Sequence, residues 1–217
     1  MNDIMELIFV LDKSGSMYGL EKDTIGGFNS LIEKQRKEKG ETYVTTVLFD
    51  QDNTLLHDRL NLKDIKNLTE DDYVVGGCTA LMDAVGTTIE HIDNIHKYIR
   101  KEDVPSKTMF VIITDGYENA SRKYELHQIK KMINAKKEQG WEFIFLGANI
   151  DAVESARSYG IDAKGAANYC ADAKGTATNF DVLRDAICYK RENNELAGGW
   201  NEKINEDYKK RNKKNKD

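Results

Sequence analysis

Five oxygen-bearing side chains stand out by their placement. Asp12, Ser14 and Ser16 alternate along Asp12-Lys13-Ser14-Gly15-Ser16, so three polar groups of one short loop can turn toward a common point. Thr79 follows Gly76-Gly77-Cys78, where two glycines let the backbone fold closely, and Asp115 ends an apolar run just before Gly116. Two carboxylates and three hydroxyls make a hard, all-oxygen donor set. Such a set suits Mg2+ or Mn2+ and not zinc, which favours His and Cys. Taken singly, each residue has an ordinary structural reading, since Ser-Gly-Ser after a strand commonly caps a helix and Asp-Gly commonly makes a turn. Their coincidence is what points to a metal.

The elements that must position them alternate between strand-like runs and helical periods, the pattern of a largely parallel sheet covered by helices. Residues 5–11 are nearly all apolar, as a strand buried on both faces should be. A helix with Ile25, Phe28, Leu31 and Ile32 on one face follows, with Gly40 as its stop. Residues 43–49 and 54–60 read as strands joined by Asp50-Gln51-Asp52-Asn53, and so short a connection makes an antiparallel hairpin. A long helix then opens at Thr79, with Leu81, Val85, Ile89, Ile92, Ile95 and Ile99 as its inward stripe. Strands are expected at 108–114, 141–146 and 166–169, with helices at 124–138, 152–159 and 180–189. Each of the three polar segments therefore sits past the C-terminal end of a strand or opens a helix. In open α/β sheets that carboxyl edge is where ligands bind.

At these residues the sequence resembles the von Willebrand factor A family, whose metal-ion-dependent adhesion site reads DxSxS, then a distant Thr, then a distant Asp. Asp12-Lys13-Ser14-Gly15-Ser16 matches the first part, Gly77-Cys78-Thr79 carries the Thr, and Ile113-Thr114-Asp115-Gly116 carries the last Asp. The likeness covers residues 5–149 well and fades beyond. It implies a doubly wound, mostly parallel six-stranded α/β sheet with one antiparallel edge strand, a Rossmann-like arrangement. It also implies that Ser14, Ser16 and Thr79 bind Mg2+ or Mn2+ directly, while Asp12 and Asp115 supply charge, partly through water. The remaining coordination position would take an acidic side chain of a protein partner. Such a domain is a non-catalytic interaction module, similar to small intracellular bacterial and phage-borne members of the family.

A rival motif, Asp50-Gln51-Asp52-Asn53-Thr54, resembles the DxDxT nucleophile loop of haloacid dehalogenase-type phosphohydrolases, which also use Mg2+. There the first Asp attacks phosphorus and the second handles the proton. That family needs a helical crossover after the loop, whereas Leu55 and Leu56 here begin another strand at once. His57, His91, His96 and His127 are the only histidines, and each reads as a surface residue. Gly26-Gly27 reads as a close-packing feature of the first helix and not as a phosphate cradle. Met17, Tyr18, Leu20 and Tyr117 fall in loops beside the five oxygen donors, where exposure would make a protein-binding rim. Asp83, early in the long helix, reads as either a supporting acid or a favourable charge at the helix dipole.

The 217 residues fit one domain, with 40% hydrophobic and 32% charged side chains. Residues 209–217 hold six bases and one acid, so this +5 leaves −10 of the formal −5 on the preceding chain. An acidic body argues against a nucleic-acid groove. The basic end reads as a solvated, frayed tail, which divides the chain into a domain at 1–191 and a polar tail at 192–217. The apolar run near the start is too short for a signal core or a membrane span. Cys78, Cys170 and Cys188 are an odd set without CxxC spacing, which suits reduced thiols and a cytoplasmic setting.

Overall fold

In the computed structural model, which describes residues 3–214, the first apolar run becomes β1 (Ile4–Asp12), with all nine residues buried. It is buried on both faces because it lies inside the sheet, parallel to β2 (Glu41–Phe49) on one side and β4 (Lys107–Thr114) on the other. β5 (Trp141–Gly147) and β6 (Ala166–Asn168) extend the parallel run. β3 (Asn53–Asn61) pairs antiparallel with β2, and the order is β3-β2-β1-β4-β5-β6. This is the six-stranded, mostly parallel α/β sheet with one antiparallel edge strand that the sequence implies. Strand order reverses between β1 and β4, so the crevice at their carboxyl ends is the expected binding position.

Alternating side chains of β1 feed two cores. Met5, Leu7, Phe9 and Leu11 pack with Phe28, Leu31 and Ile32 of α1 (Glu21–Gln35) and with Phe180, Leu183 and Ile187 of α5 (Ala173–Asn193). Ile8 and Val10 face Val85, Ile89 and Ile92 of α2 (Leu81–Tyr98), with Ile129 and Ile133 of α3 (Leu126–Glu138) on the same side. The short α4 (Ala152–Ser158) buries Ala152 and Ala156 there too.

The first helix meets α5 through Gly27, where a Cβ would fall 2.2 Å from the Phe180 ring, while at Gly26 it would meet nothing within 4 Å. The two neighbours should therefore respond oppositely to the same change. Gly26→Ala should stabilise by up to ~1 kcal/mol through helix propensity. Gly27→Ala should cost about 1–3 kcal/mol because the ring must move. Thermal melts of the two variants check this, and equal shifts of one sign would contradict the α1–α5 packing.

Two expectations change. The last predicted helix is longer than its apolar stripe: α5 starts at Ala173, where Asp172 accepts a hydrogen bond from the Gly175 amide at 2.9 Å. Small and polar residues (Gly175, Thr176, Asn179) are buried in its first turns, which a search for large apolar side chains passes over. Nor do residues 192–211 form a loose tail. The Trp200 indole donates to the Lys164 carbonyl and Asn201 Nδ2 to the Ala166 carbonyl, both at 2.7 Å, which covers the β6 edge of the sheet. A further helix, α6 (Glu202–Lys214), follows, with Ile204 buried in the first core and Arg211 paired with Asp172 and Asp207. Within the basic run, Arg211 thus meets Asp172 of the body and Asp207 of its own helix. Residues 215–217 of the expected tail lie outside the described residues.

The histidines divide as well. His91 and His127 lie on the surface, but His57 is buried, its Nδ1 3.0 Å from Thr46 Oγ1 and its ring stacked on Phe28, and burial holds its pKa down. His96 lies 2.6 Å from Glu6, whose carboxylate is fully buried in β1 and also accepts from Arg59 Nε at 2.9 Å. Arg59 reaches inward because the edge strand is irregular there: its φ is +48° beside a shift in the β2–β3 register. Such a bulge also spoils the edge for pairing with another chain.

Candidate metal centre

The loop after β1 is held from both sides. The Ser14 amide donates to Asp12 Oδ1 at 2.7 Å, which turns the chain, and the Lys13 amide donates to the Phe49 carbonyl at 2.7 Å. Met17 and Leu20 are buried and pin the loop to the core, whereas Tyr18 between them is exposed. The Gly15 amide donates to the Gly77 carbonyl at 3.1 Å and the Gly76 amide to the Lys13 carbonyl at 2.9 Å, so this loop and the one before α2 are paired. Gly77 permits this with φ +71°, a conformation that strains other residues.

The loop after β4 completes the arrangement. Asn119 grips Thr79 on both sides, its Oδ1 accepting from the Thr79 amide at 2.9 Å and its amide donating to the Thr79 carbonyl at 3.0 Å. The N-terminus of α2 has no cap of its own. Glu118 accepts from the Met82 amide at 2.8 Å and Ser121 Oγ from the Asp83 amide at 3.0 Å. Asp83 returns the favour by accepting from the amides of Arg122, Lys123 and Tyr124, so its carboxylate is a loop staple.

All five expected donors converge. Ser14 Oγ and Ser16 Oγ are 3.2 Å apart, and Ser16 Oγ donates to Asp115 Oδ1. A Cβ added to Gly116 would sit 3.1 Å from Ser16 Oγ and 3.3 Å from Thr79 Oγ1, which places both hydroxyls over the same glycine. Asp12 is held by the Ser14 amide on one oxygen and by Thr114 Oγ1, 2.5 Å away, on the other. Asp115 Oδ2 is buried without a hydrogen-bond partner. A buried carboxylate oxygen left in this state is costly unless a cation meets it.

The electrostatics agree. Burial pushes the Asp115 carboxyl up to about 6, aided by the neighbouring Asp12 charge, and burial raises Asp12 as well despite its hydrogen bonds. Two phenols lie beneath: Tyr73 donates to the Asp12 carbonyl, Tyr169 sits 3.5 Å from the Thr114 carbonyl, and burial raises both. The nearby Lys13 ammonium is paired with Asp50 at 2.5 Å. Two buried acids held close together make a donor set suited to a hard divalent cation. Among the described residues there is no group of three or more His, Cys, Asp or Glu side chains able to hold a metal, so any such ion here relies on the hydroxyls.

The supporting residues Thr114, Asn119, Glu118 and Tyr73 are not singled out by the sequence pattern. Thr114 reads as one more β-branched strand residue, and Asn119 as one polar residue in a polar loop. Of the four loop residues expected at a rim, Met17 and Leu20 are buried, while Tyr18 and Tyr117 are exposed. The rival Asp50 sits in a hairpin turn. Its Oδ1 accepts from the Asp52 amide at 2.8 Å, its Oδ2 meets Lys13, and β3 follows directly with no helical crossover.

Neither the family models nor the curated proteins contain a match to this chain. Solved structures do match in fold. The vWF domain of a type V pili tip protein from Porphyromonas gingivalis superposes with a TM-score of 0.62 at 10% identity, covering 91% of this chain and 99% of that one. A von Willebrand factor type A structure from Catenulispora acidiphila gives 0.58 at 14%, covering 85% and 42%. Proximal thread matrix protein 1 from the mussel byssus, with a zinc-occupied MIDAS motif, gives 0.55 at 12%, covering 85% and 46%. The chain thus spans about half the length of the last two. The fold is that of von Willebrand factor A domains.

Proposed function

We propose that this chain is a von Willebrand factor A-type domain that binds one Mg2+ or Mn2+ and captures a protein partner through a carboxylate. The observation that carries the reading is the unpartnered, buried Asp115 Oδ2 beside the Ser14, Ser16 and Thr79 hydroxyls. The zinc-occupied motif in the mussel protein supports a divalent ion at this place in the fold. When bound, the ion supplies positive charge and an open coordination position for a carboxylate oxygen. The chain's own residues do the rest. Asp12 and Asp115 neutralise the ion, Ser14, Ser16 and Thr79 set its coordination, and Thr114 and Asn119 hold two of these five in place. On this reading the domain is an interaction module and not an enzyme. Three unpaired cysteines support a reducing, cytoplasmic setting. No helix among the described residues is long and apolar enough to cross a membrane.

Calorimetric titration tests this directly. One Mg2+ or Mn2+ should bind per chain and Asp12→Ala should abolish the heat, whereas undiminished binding in that variant would place the site elsewhere. Metal should also raise the melting temperature, since a ligand that binds only the folded state stabilises it by mass action.

A further inference from the structure

The three loops that build the centre share a second pattern. Each sends one apolar side chain outward immediately beside a residue anchored in the structure. Tyr18 is 83% exposed and follows the buried Met17. Val74 is 63% exposed and follows Tyr73, which is buried and bonded to the Asp12 carbonyl. Tyr117 is 61% exposed and follows Gly116, which lies against the Ser16 and Thr79 hydroxyls. The anchors belong to the loops that carry the five donors, so the three exposed side chains sit on the same held loops as the centre. Tyr117 is steadied further, its hydroxyl 3.4 Å from the Asp151 amide. Exposed aromatic and aliphatic side chains on a rigid backbone bury area on binding with little loss of backbone freedom, which is the usual makeup of an interface centre.

The charge of the segments that carry these side chains, with the adjoining hairpin turn, narrows the partner. Residues 12–20, 50–53, 66–80 and 115–124 together hold eight acids and four bases, a net −4 that a divalent ion reduces to −2. The hairpin acids Asp50 and Asp52 lie next to the mouth, since the Ala80 amide bonds to the Asp50 carbonyl and Gly77 packs on Gln51. Asp50 is neutralised by Lys13, but Asp52 is exposed. A polyacidic segment would gain at the ion and lose against this rim, and like charges brought together across an interface are costly.

Resting on the metal-centre reading above, we propose that the partner epitope is a single carboxylate flanked by apolar side chains and by Lys or Arg. The apolar side chains pack on Tyr18, Val74 and Tyr117, and the bases answer the acidic rim. The ion provides the grip, and the rim provides the choice among carboxylates.

Synthetic fluorescein-labelled peptides test this by anisotropy, with Mn2+ and with chelator. The lead peptide is Gly-Lys-Leu-Asp-Phe-Lys-Gly, and its relatives change Leu and Phe to Ser, both Lys to Glu, or Asp to Asn. With Mn2+ the lead should bind, while the Ser-flanked and Glu-flanked peptides should each bind roughly tenfold more weakly or worse. The Tyr18→Ser, Val74→Ser, Tyr117→Ser triple variant should lose the lead peptide by a similar factor while titrating Mn2+ like the parent. Its exposed positions leave the fold intact, and the melting temperature verifies that. The proposal is overturned if the Ser- or Glu-flanked peptides bind within twofold of the lead. It is equally overturned if the triple variant binds the lead as the parent does, or if Mn2+ binds and the lead does not. A different outcome strikes the metal-centre reading instead: no Mn2+ heat at all, or peptide binding indifferent to chelator and to the Asp-to-Asn change.

Discussion

Asp115→Asn should melt higher than the parent when both are metal-free, and should lose all response to Mg2+ or Mn2+. The folded-state carboxyl is raised to about 6 by burial and by Asp12. Relative to an ordinary Asp near 3.8 it holds its proton more tightly when folded. Ionising it therefore costs stability, and the cost grows as pH rises from the unfolded value through about 6 and is full at pH 7.5. An amide removes the charge and keeps the shape. The expected gain is about 1–2 kcal/mol at pH 7.5, or roughly 2–8 °C for a chain of this size. It should shrink at pH 5, where the parent is largely protonated. Metal reverses the order, because the parent gains a cation at the same oxygen. That gain too should fall below pH 6, as protons compete for Asp115; Asp12, also raised, acts in the same direction. Melting curves of both proteins at pH 5 and 7.5, with and without metal, give all the comparisons. A metal-free variant no more stable than the parent at pH 7.5, or one that keeps the metal shift, would defeat the account of two repelling acids awaiting a cation.

Glu6→Ala should be strongly destabilising although its position is remote from the centre. It removes the acid shared by Arg59 and His96, both of which remain largely enclosed without the carboxylate they meet. Breaking a buried pair from one side costs about 3 kcal/mol, equivalent to roughly 6–12 °C here. Glu6→Gln, which can still accept from Arg59, should lose distinctly less. Metal affinity should be unchanged in both, since Glu6 and Asp12 lie six positions apart along β1, roughly 20 Å of extended chain. Chemical denaturation and metal titration of the two variants measure both halves. A loss below ~1 kcal/mol for Glu6→Ala would mean that Arg59 escapes to solvent and that the cluster contributes little.

What the sequence by itself determined is what local pattern encodes. The nearly continuous apolar run at residues 5–11 fits a strand buried on both faces inside a parallel sheet. The four-residue turn at Asp50–Asn53 can only reverse the chain, and the Asp12-x-Ser14-x-Ser16 alternation aims three donors one way. From these the fold class, the antiparallel edge strand and the five converging side chains were all legible. Tertiary structure decided everything that depends on a distant partner. Thr114 holds Asp12 from another strand, Asn119 clamps Thr79 from forty residues away, and neither contact leaves a period or a spacing to read. Met17 and Tyr18 are adjacent in one loop, yet one is buried and the other exposed, because only the packed core says which side of that loop faces inward. The segment after residue 191 is polar enough to read as a tail. Residues 192–211 are ordered because Trp200, Asn201 and Ile204 find a sheet edge and a core to cover, and Arg211 finds Asp172 of the body. Composition reports what a segment is made of, whereas burial depends on what the rest of the chain places against it.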